Sequence, residues 1–129
     1  MGKVSRANNA LKTGIKAFQE QNYDAAFRLL IPLAEGGNPQ AQCYIASIYQ
    51  GGFGVPVDGV KAVDWYLKAA AQEERTERIS AIAYNNLATI YSTGLSGVRP
   101  DPRLAKKYWQ RAAELGFETI PKEWYESKP

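Results

Sequence analysis

The sequence predicts an all-α fold, a right-handed α-solenoid of about three antiparallel helix-turn-helix repeats followed by a C-terminal cap or tail. Three observations predict it. A long segment recurs after 42 to 43 residues, helix-start signals recur at matching places within it, and no segment alternates in the way of a β-strand. With 129 residues, 45% of them hydrophobic and 22% charged, the chain suits a single domain with a core of its own.

The repeat is clearest around two glycine-rich turns. The segment Tyr49–Asp58, YQGGFGVPVD, matches the segment Tyr91–Asp101, YSTGLSGVRPD. The match continues beyond the turns, where Ala62 corresponds to Ala105, Trp65-Tyr66 to Tyr108-Trp109, and Ala69-Ala70 to Ala112-Ala113. A weaker copy comes first, carried by Gly14, Phe18 and the segment 23–26. The repeats therefore span about residues 7–37, 38–80 and 81–117, and residues 118–129 form the cap or tail.

Each copy reads as two helices joined by a turn. Asn38-Pro39 and Asp101-Pro102 each offer an N-cap side chain followed by proline at the first helical position, where its missing N–H costs nothing. Asp58 is expected to cap the second helix of the middle repeat, and Asp24 the second helix of the first. The alanines shared by the copies allow close helix packing, while the aromatic pairs fill the space between helices.

Two segments lie outside the repeat pattern. Gln72–Arg78, QEERTER, is charged and rich in helix-favouring residues, so we expect the helix before it to run long and to splay the last helix pair away. At the C-terminus, we expect Trp124 and Tyr125 to fold back over the open end of the stack, which repeat proteins must cover to stay soluble.

Composition disfavours catalysis. The single Cys43 excludes an internal disulfide and a cysteine zinc site, and the absence of histidine removes the commonest general base and metal ligand. Cys43 could be a reactive thiol, but no neighbouring group lowers its pKa, so an inert thiol is favoured. Several acids could pair for acid-base work, although solvation on helix faces is the simpler interpretation; they are Asp64, Glu73, Glu74, Glu77 and Glu114. We therefore predict a non-enzymatic protein with no catalytic, cofactor-binding or metal-binding residues, and a hydrolase is the minor alternative.

Other ligand classes are also disfavoured. The glycines at Gly51–Gly54 could suggest a phosphate loop, but this loop follows a helix and lacks the terminal Gly-Lys-Ser/Thr, so a structural turn is favoured. Three Trp and eight Tyr could stack on RNA, yet most occupy repeat-core positions and no basic stripe accompanies them. No apolar run suggests membrane insertion. A cytoplasmic location is favoured, and a periplasmic one is possible if a leader has been removed.

These residues resemble the Sel-one-like repeat (SLR) family, relatives of the tetratricopeptide repeats. In the family pattern, the first helix carries Ala, Leu-Gly and Tyr. The turn that follows has the sequence Gly-x-Gly-Val-x-x-Asp, and the second helix carries Ala, Trp-Tyr and Lys-Ala-Ala. The middle repeat matches with Ala41, Ile45-Ala46, Tyr49, Gly52, Gly54-Val55, Asp58, Ala62, Trp65-Tyr66 and Lys68-Ala69-Ala70. The glycine of the first helix is replaced by Ala46 and by Ala88 in the next copy. The resemblance implies a helical solenoid that binds proteins as a scaffold, adaptor or regulator, mostly in bacteria.

A partner-binding face follows by analogy with tetratricopeptide repeats, whose first helices line a concave groove. The residues expected there are Asn8, Phe18, Gln19, Cys43, Ser47, Gln50, Asn85, Thr89 and Ser92, although Phe18 could belong to the core. Most of them are polar and uncharged, which suits hydrogen bonding to a peptide backbone. We expect a protein partner, a toxin or effector that the chain neutralises as an immunity protein, since small members of the family can serve in this way. The alternative is an adaptor or regulatory scaffold in a signalling or secretion complex.

Overall fold

The computed structural model describes residues 3–126, with side chains from Arg6 onward. Residues 127–129, the end of the predicted cap or tail, lie outside this range. The elements are α1 (Lys3–Gln19), α2 (Tyr23–Glu35), α3 (Pro39–Gly51), α4 (Gly59–Ala70), α5 (Glu77–Thr93), α6 (Pro102–Glu114) and a 3-10 helix at Lys122–Trp124. Within the described residues the only β-type pairing is an isolated bridge between Leu95 and Val98. The predicted all-α architecture is therefore confirmed.

The helices begin at N-caps, most of which the sequence indicates. Asn38 Oδ1 accepts a hydrogen bond from the Ala41 amide at 2.9 Å, and Asp58 Oδ1 accepts one from the Lys61 amide at 3.0 Å. Asp101 caps α6 in the same way. The prediction for Asp24 is wrong, because α2 begins before it.

The N-cap of α2 is Asn22, whose side chain accepts from the Ala25 amide at 3.4 Å. Asp24 lies in the first turn of the helix. Asparagine supplies the same side-chain acceptor as aspartate at an N-cap, so either residue could have started the helix. The preceding Gln21 has a φ of 63°, which turns the chain sharply enough for α2 to start at Tyr23.

Consecutive helices pack against each other in chain order, and α3 also contacts α5. The buried side chains form two clusters. One contains Leu30, Ile45 and Ile48 with four alanines. The other contains Val63, Tyr66, Leu87 and Ile90 with five further alanines. Tyr49 and Trp65 pack against both clusters, so the core is continuous along the stack. This arrangement is the helical solenoid that the repeat pattern predicts.

The two glycine-rich turns have the same construction. The amide of Asp58 donates to the carbonyl of Tyr49 at 3.0 Å, and the amide of Asp101 donates to that of Tyr91 at 2.7 Å. Positive φ angles occur at four glycines of these turns, Gly52, Gly54, Gly94 and Gly97. Each turn follows a helix and closes on that helix's own last residues. The glycines therefore serve chain reversal, as the comparison of the two copies predicts.

The segment after α4 is a turn, so the predicted extension of that helix is wrong. α4 ends at Ala70, and α5 begins at Glu77 with Thr76 as its N-cap. The side-chain amide of Gln72 donates to the carbonyl of Gly37 and to Gln42 Oε1, both at 3.0 Å. These bonds tie the turn to α3 and to the connection before it, and they outweigh the local helix preference of the charged residues. The last pair consequently stays packed on the middle one.

The chain beyond α6 folds back onto the end of the stack. Ile120 is buried, and the ring of Trp124 lies 4.7 Å from that of Trp109, centroid to centroid. The expected contact of Trp124 with the open end is confirmed, although nearly half of its surface remains exposed. In the part of the chain that the structure describes, no helix has the combined length and apolar character of a membrane span.

Candidate functional site

A groove of about 450 Å³ runs between the first helices of the second and third pairs. From α3 it is lined by Gln40, Cys43, Tyr44 and Ser47, and from α5 and its cap by Thr76, Arg78, Ile79, Ile82 and Asn86. We call this the α3–α5 groove. Apart from the adjacent pairs Cys43-Tyr44 and Arg78-Ile79, successive lining positions on each helix are three or four residues apart, so each helix contributes a single stripe of side chains.

The structure brings two of the predicted residues into the groove. Cys43 and Ser47 line its α3 wall. The residues predicted on α5 do not line it: Asn85 is half-buried, while Thr89 and Ser92 are exposed and donate their hydroxyls to the backbone carbonyls of Asn85 and Thr89. Whether these three residues contact a partner stays a prediction.

The absence of the predicted α5 residues from the groove has a geometric explanation. Residues 42 apart in successive repeats, such as Cys43 and Asn85, point in the same direction, whereas a groove is lined by surfaces that face each other. The α5 stripe that faces α3 is therefore a different one, made by Ile79, Ile82 and Asn86. The sequence does contain a signal for this stripe, because Ile79 and Ile82 are three residues apart and lie outside the core pattern of the repeat. The groove is consequently more apolar than the sequence led us to expect.

Ser47, from the wall of the groove, and Gln50, outside it, both bond to a buried tyrosine of the core. Tyr66 is fully buried, and its hydroxyl donates to Gln50 Oε1 at 2.7 Å and lies 2.9 Å from Ser47 Oγ. A phenol has one hydrogen, so Ser47 must donate to Tyr66. Burial raises the pKa of Tyr66, which keeps the hydroxyl neutral. Both predicted residues thus satisfy a buried polar group, and Ser47 does so from the wall of the groove.

The predicted residues of the first helix pair lie apart from the groove. Asn8 and Gln19 are exposed on α1. Phe18 is half-buried and belongs to an aromatic cluster, with ring centroids 5.1 Å from Tyr44, 5.6 Å from Tyr23 and 5.8 Å from Phe53. Since Tyr44 lines the groove, Phe18 supports one of its walls from behind.

Cys43 has the character of an inert side chain. Burial raises the pKa of its thiol to about 12, so the thiol is protonated at neutral pH and is a weak nucleophile. Among residues 3–126, no group of three or more His, Cys, Asp or Glu side chains is arranged to hold a metal ion. Cys43 therefore acts in the groove as a small apolar group.

Glu73 and Glu114 differ from the other acids that the sequence singled out, because both pair with Arg111. Asp64, Glu74 and Glu77 are exposed, as expected for solvated positions. Glu73 instead pairs with the guanidinium of Arg111 and accepts a hydrogen bond from the Tyr84 hydroxyl at 2.8 Å. These bonds, that of Arg111 foremost, lower the pKa of Glu73. The carboxylate is thereby held ionised, so it is not a proton donor. It instead joins the turn after α4 to α6.

The variant Glu73→Gln should flatten the acid dependence of stability. The folded-state pKa of Glu73 lies below its unfolded-state value, which for glutamate is about 4.3. The carboxylate therefore stabilises the fold above that value, and the stabilisation is lost as the pH falls through the lower folded-state pKa. Urea unfolding at pH values from about 7 to about 3 should show a steeper loss for the natural chain than for Glu73→Gln.

Glu74→Gln is the matched control, because Glu74 is the exposed neighbour of Glu73 in the same turn. We expect it to keep the acid dependence of the natural chain. Equal slopes for the natural chain and Glu73→Gln would contradict a stabilising Glu73–Arg111 pair.

Comparison with known proteins places this architecture among relatives. The pattern of the Sel1 repeat matches residues 9–38, 39–73 and 81–117, and each match covers most of one helix pair. The crystal structure of a Sel1 repeat protein from Oxalobacter formigenes is 31% identical in sequence, with a TM-score of 0.71 over 92% of this chain and 86% of that one.

A second solved structure is that of a protective antigen present in uropathogenic Escherichia coli strains, which displays an SLR fold. It is 25% identical, with a TM-score of 0.76 over 85% of this chain, and this chain spans only 23% of its length. Proteins built from Sel1 repeats are generally protein-interaction modules and typically act as non-enzymatic scaffolds. The three matched repeats cover most of the residues, and the chain belongs to the Sel1 repeat family.

Proposed function

We propose that this chain is a non-enzymatic protein-binding module that binds a partner through the α3–α5 groove and neutralises it, as an immunity protein does with its toxin. The observation that carries the proposal is the composition of the groove. Apolar side chains suited to anchoring a partner stand beside uncharged polar groups suited to hydrogen bonding. This combination is typical of the central part of a protein interface.

The groove offers specific contacts to a partner backbone. Ile79, Ile82 and the ring of Tyr44 supply apolar surface. Asn86 donates from Nδ2 to the carbonyl of Ile82 at 2.9 Å, which leaves its Oδ1 to accept from a partner N–H. Gln40 is exposed at the same groove and can donate or accept. An extended segment laid between the helices would meet all of these groups.

Neutralisation requires more surface than the groove provides. A stable complex buries about 800 Å² on each partner, and a nanomolar dissociation constant corresponds to about −12 kcal/mol. A groove of about 450 Å³ holds only a short segment. A toxin would therefore also contact the exposed face of α5 beyond the groove, where Asn85, Thr89 and Ser92 lie. We propose that those predicted residues form the outer part of the interface.

The test is co-expression of this chain with the product of the adjacent gene. We expect a one-to-one complex on size-exclusion chromatography, toxicity of the neighbour expressed alone, and protection when both are present. Ile82→Arg, which places a long cation in the groove, should abolish the complex and the protection. Leu67→Arg is the control, because Leu67 is exposed on α4 and does not line the groove.

Two results would decide against an immunity role. If the neighbour is harmless when expressed alone, neutralisation fails as an explanation. If instead the chain binds a short peptide with modest affinity that Asn85→Ala reduces, it acts as an adaptor in a larger complex. Far-ultraviolet circular dichroism of each variant should match the natural chain, which separates lost binding from lost folding.

A further inference from the structure

We propose that the α3–α5 groove selects a partner segment in which a carboxylate stands next to a large apolar side chain, with Arg78 pairing with the carboxylate. The inference rests on the proposed protein-binding role of the groove and specifies what the groove recognises. It is carried by the charges around the groove and by the position of Arg78 beside its apolar wall.

Arg78 is the only charged residue in the lining of the groove. It is exposed, and neither an ion pair nor a hydrogen bond of its guanidinium to another residue occurs in the described part of the chain. The nearby Arg75 is different, because its Nη1 donates to the carbonyl of Gly37 at 3.4 Å and to Gln72 Oε1 at 3.3 Å. Arg78 is thus the cation available to a ligand.

The apolar wall lies within one helical turn of this cation. Ile82 is four residues after Arg78 on α5, a spacing that brings side chains to about 5 to 6 Å apart at Cβ. Ile79 directly follows Arg78 in the sequence and lines the same groove. A ligand that places an apolar side chain against the isoleucines therefore meets the guanidinium with a residue one or two positions away. Arginine suits this contact because its planar fork can bind both carboxylate oxygens.

The opposite side of Arg78 disfavours a carboxylate. Arg78 and Ile82 also border a second hollow of about 550 Å³, between the start of α5 and the segment 115–119. Glu77 and Glu118 line that hollow, so it holds two acids against the shared cation. A partner carboxylate is repelled there and is directed to the α3–α5 side. This asymmetry gives the groove a preference for the orientation of the segment as well as for its charge.

The experiment is selection of a random phage-displayed peptide library on the full chain. We expect the enriched peptides to carry Asp or Glu within two residues of a large apolar side chain. Panning on Arg78→Gln should keep the apolar preference and lose the acidic one. Panning on Arg103→Gln, which removes an exposed cation of α6, should change neither preference.

Affinity measurements on the most enriched peptide, made synthetically, sharpen the test. Arg78→Gln should weaken its binding by about tenfold, as expected for a charge-assisted hydrogen bond that is partly open to solvent. Raising the salt concentration from about 0.1 to about 0.5 M should weaken binding to the natural chain more than binding to the variant. Circular dichroism should show the same helical fold in both.

Peptides without an acidic preference, equal affinity of the natural chain and Arg78→Gln, or a failure of any peptide to enrich would each overturn the inference. Its failure is distinguishable from failure of the proposed function. A partner complex that Ile82→Arg destroys and Arg78→Gln leaves unchanged would overturn the carboxylate preference and keep the binding role. Peptide selectivity without a neutralised partner would keep the preference and overturn the immunity role.

Discussion

Leu87→Ala should lower the free energy of unfolding by about 3 kcal/mol, within the range of about 2 to 5 kcal/mol found for such truncations in cores. Leu87 is fully buried in the cluster of Tyr66, Ala83 and Ile90 between the second and third helix pairs. Removing three carbon atoms there loses apolar burial and leaves a cavity that the packed helices cannot close. Urea unfolding followed by circular dichroism measures the change.

Leu67→Ala is the matched control, since it makes the same truncation at a leucine that is 39% exposed on α4. We expect its effect to stay below about 1 kcal/mol. Because each pair of a solenoid is stabilised by its neighbours, Leu87→Ala should also raise amide hydrogen exchange in α5 and α6 more than in α1. Equal losses for the two leucine variants would show that Leu87 does not hold the pairs together.

The fold was predictable because the same signals occur twice in register. Asp58 and Asp101 each cap a helix, and each donates its amide to the tyrosine that precedes its turn. One copy of such a motif is ambiguous, since a glycine-rich loop before a helix can also bind phosphate. Two copies that share caps, glycines and aromatic pairs leave the repeat as the common explanation. The alanines of the pattern are buried where the helices meet, as close packing requires, except for the half-buried Ala113.

The turn after α4 was not predictable from local preference. Gln72 and its charged neighbours favour a helix in isolation, and the bonds that oppose it reach Gly37 and Gln42, some 30 to 35 residues earlier. A prediction of secondary structure from neighbouring residues alone does not include those partners. The ion pair of Glu73 with Arg111 was missed for the same reason, because 38 residues separate the two. Contacts between repeats thus decide what the segment between them does.

The candidate site was predictable on one wall only. Analogy with tetratricopeptide repeats located Cys43 and Ser47 on α3, and transferring the same positions to α5 selected residues that point past the groove. The facing stripe, with Ile79, Ile82 and the cation Arg78, depends on how α3 and α5 are rotated against each other. That rotation is set by packing between pairs, which a repeat pattern within one chain segment does not encode.

Gly59→Ala should destabilise the fold by about 1 to 3 kcal/mol, although alanine is normally the better helix residue. Gly59 begins α4 and lies against the next glycine-rich turn, where its amide donates to the carbonyl of Ser96 at 2.8 Å. A Cβ at this position would lie 2.5 Å from that carbonyl oxygen and 3.1 Å from the Cβ of Leu95. The neighbours are a backbone oxygen and the first side-chain carbon of Leu95, whose positions the backbone fixes, so relief requires the third pair to shift.

Pro102→Ala is the control, because Pro102 is the equivalent first residue of α6 and is exposed, and residues 3–126 contain no further repeat after α6. Its effect should come mainly from the unfolded chain and stay below about 1 kcal/mol. Thermal and urea unfolding give the stability of the two variants, and so compare the same repeat position with and without a following repeat packed against it. If Gly59→Ala is as stable as the natural chain, the turns of successive repeats do not touch at this point. If it is destabilised as expected, this contact helps to set the rotation of α5 against α3, and the variant should also weaken peptide binding in the groove.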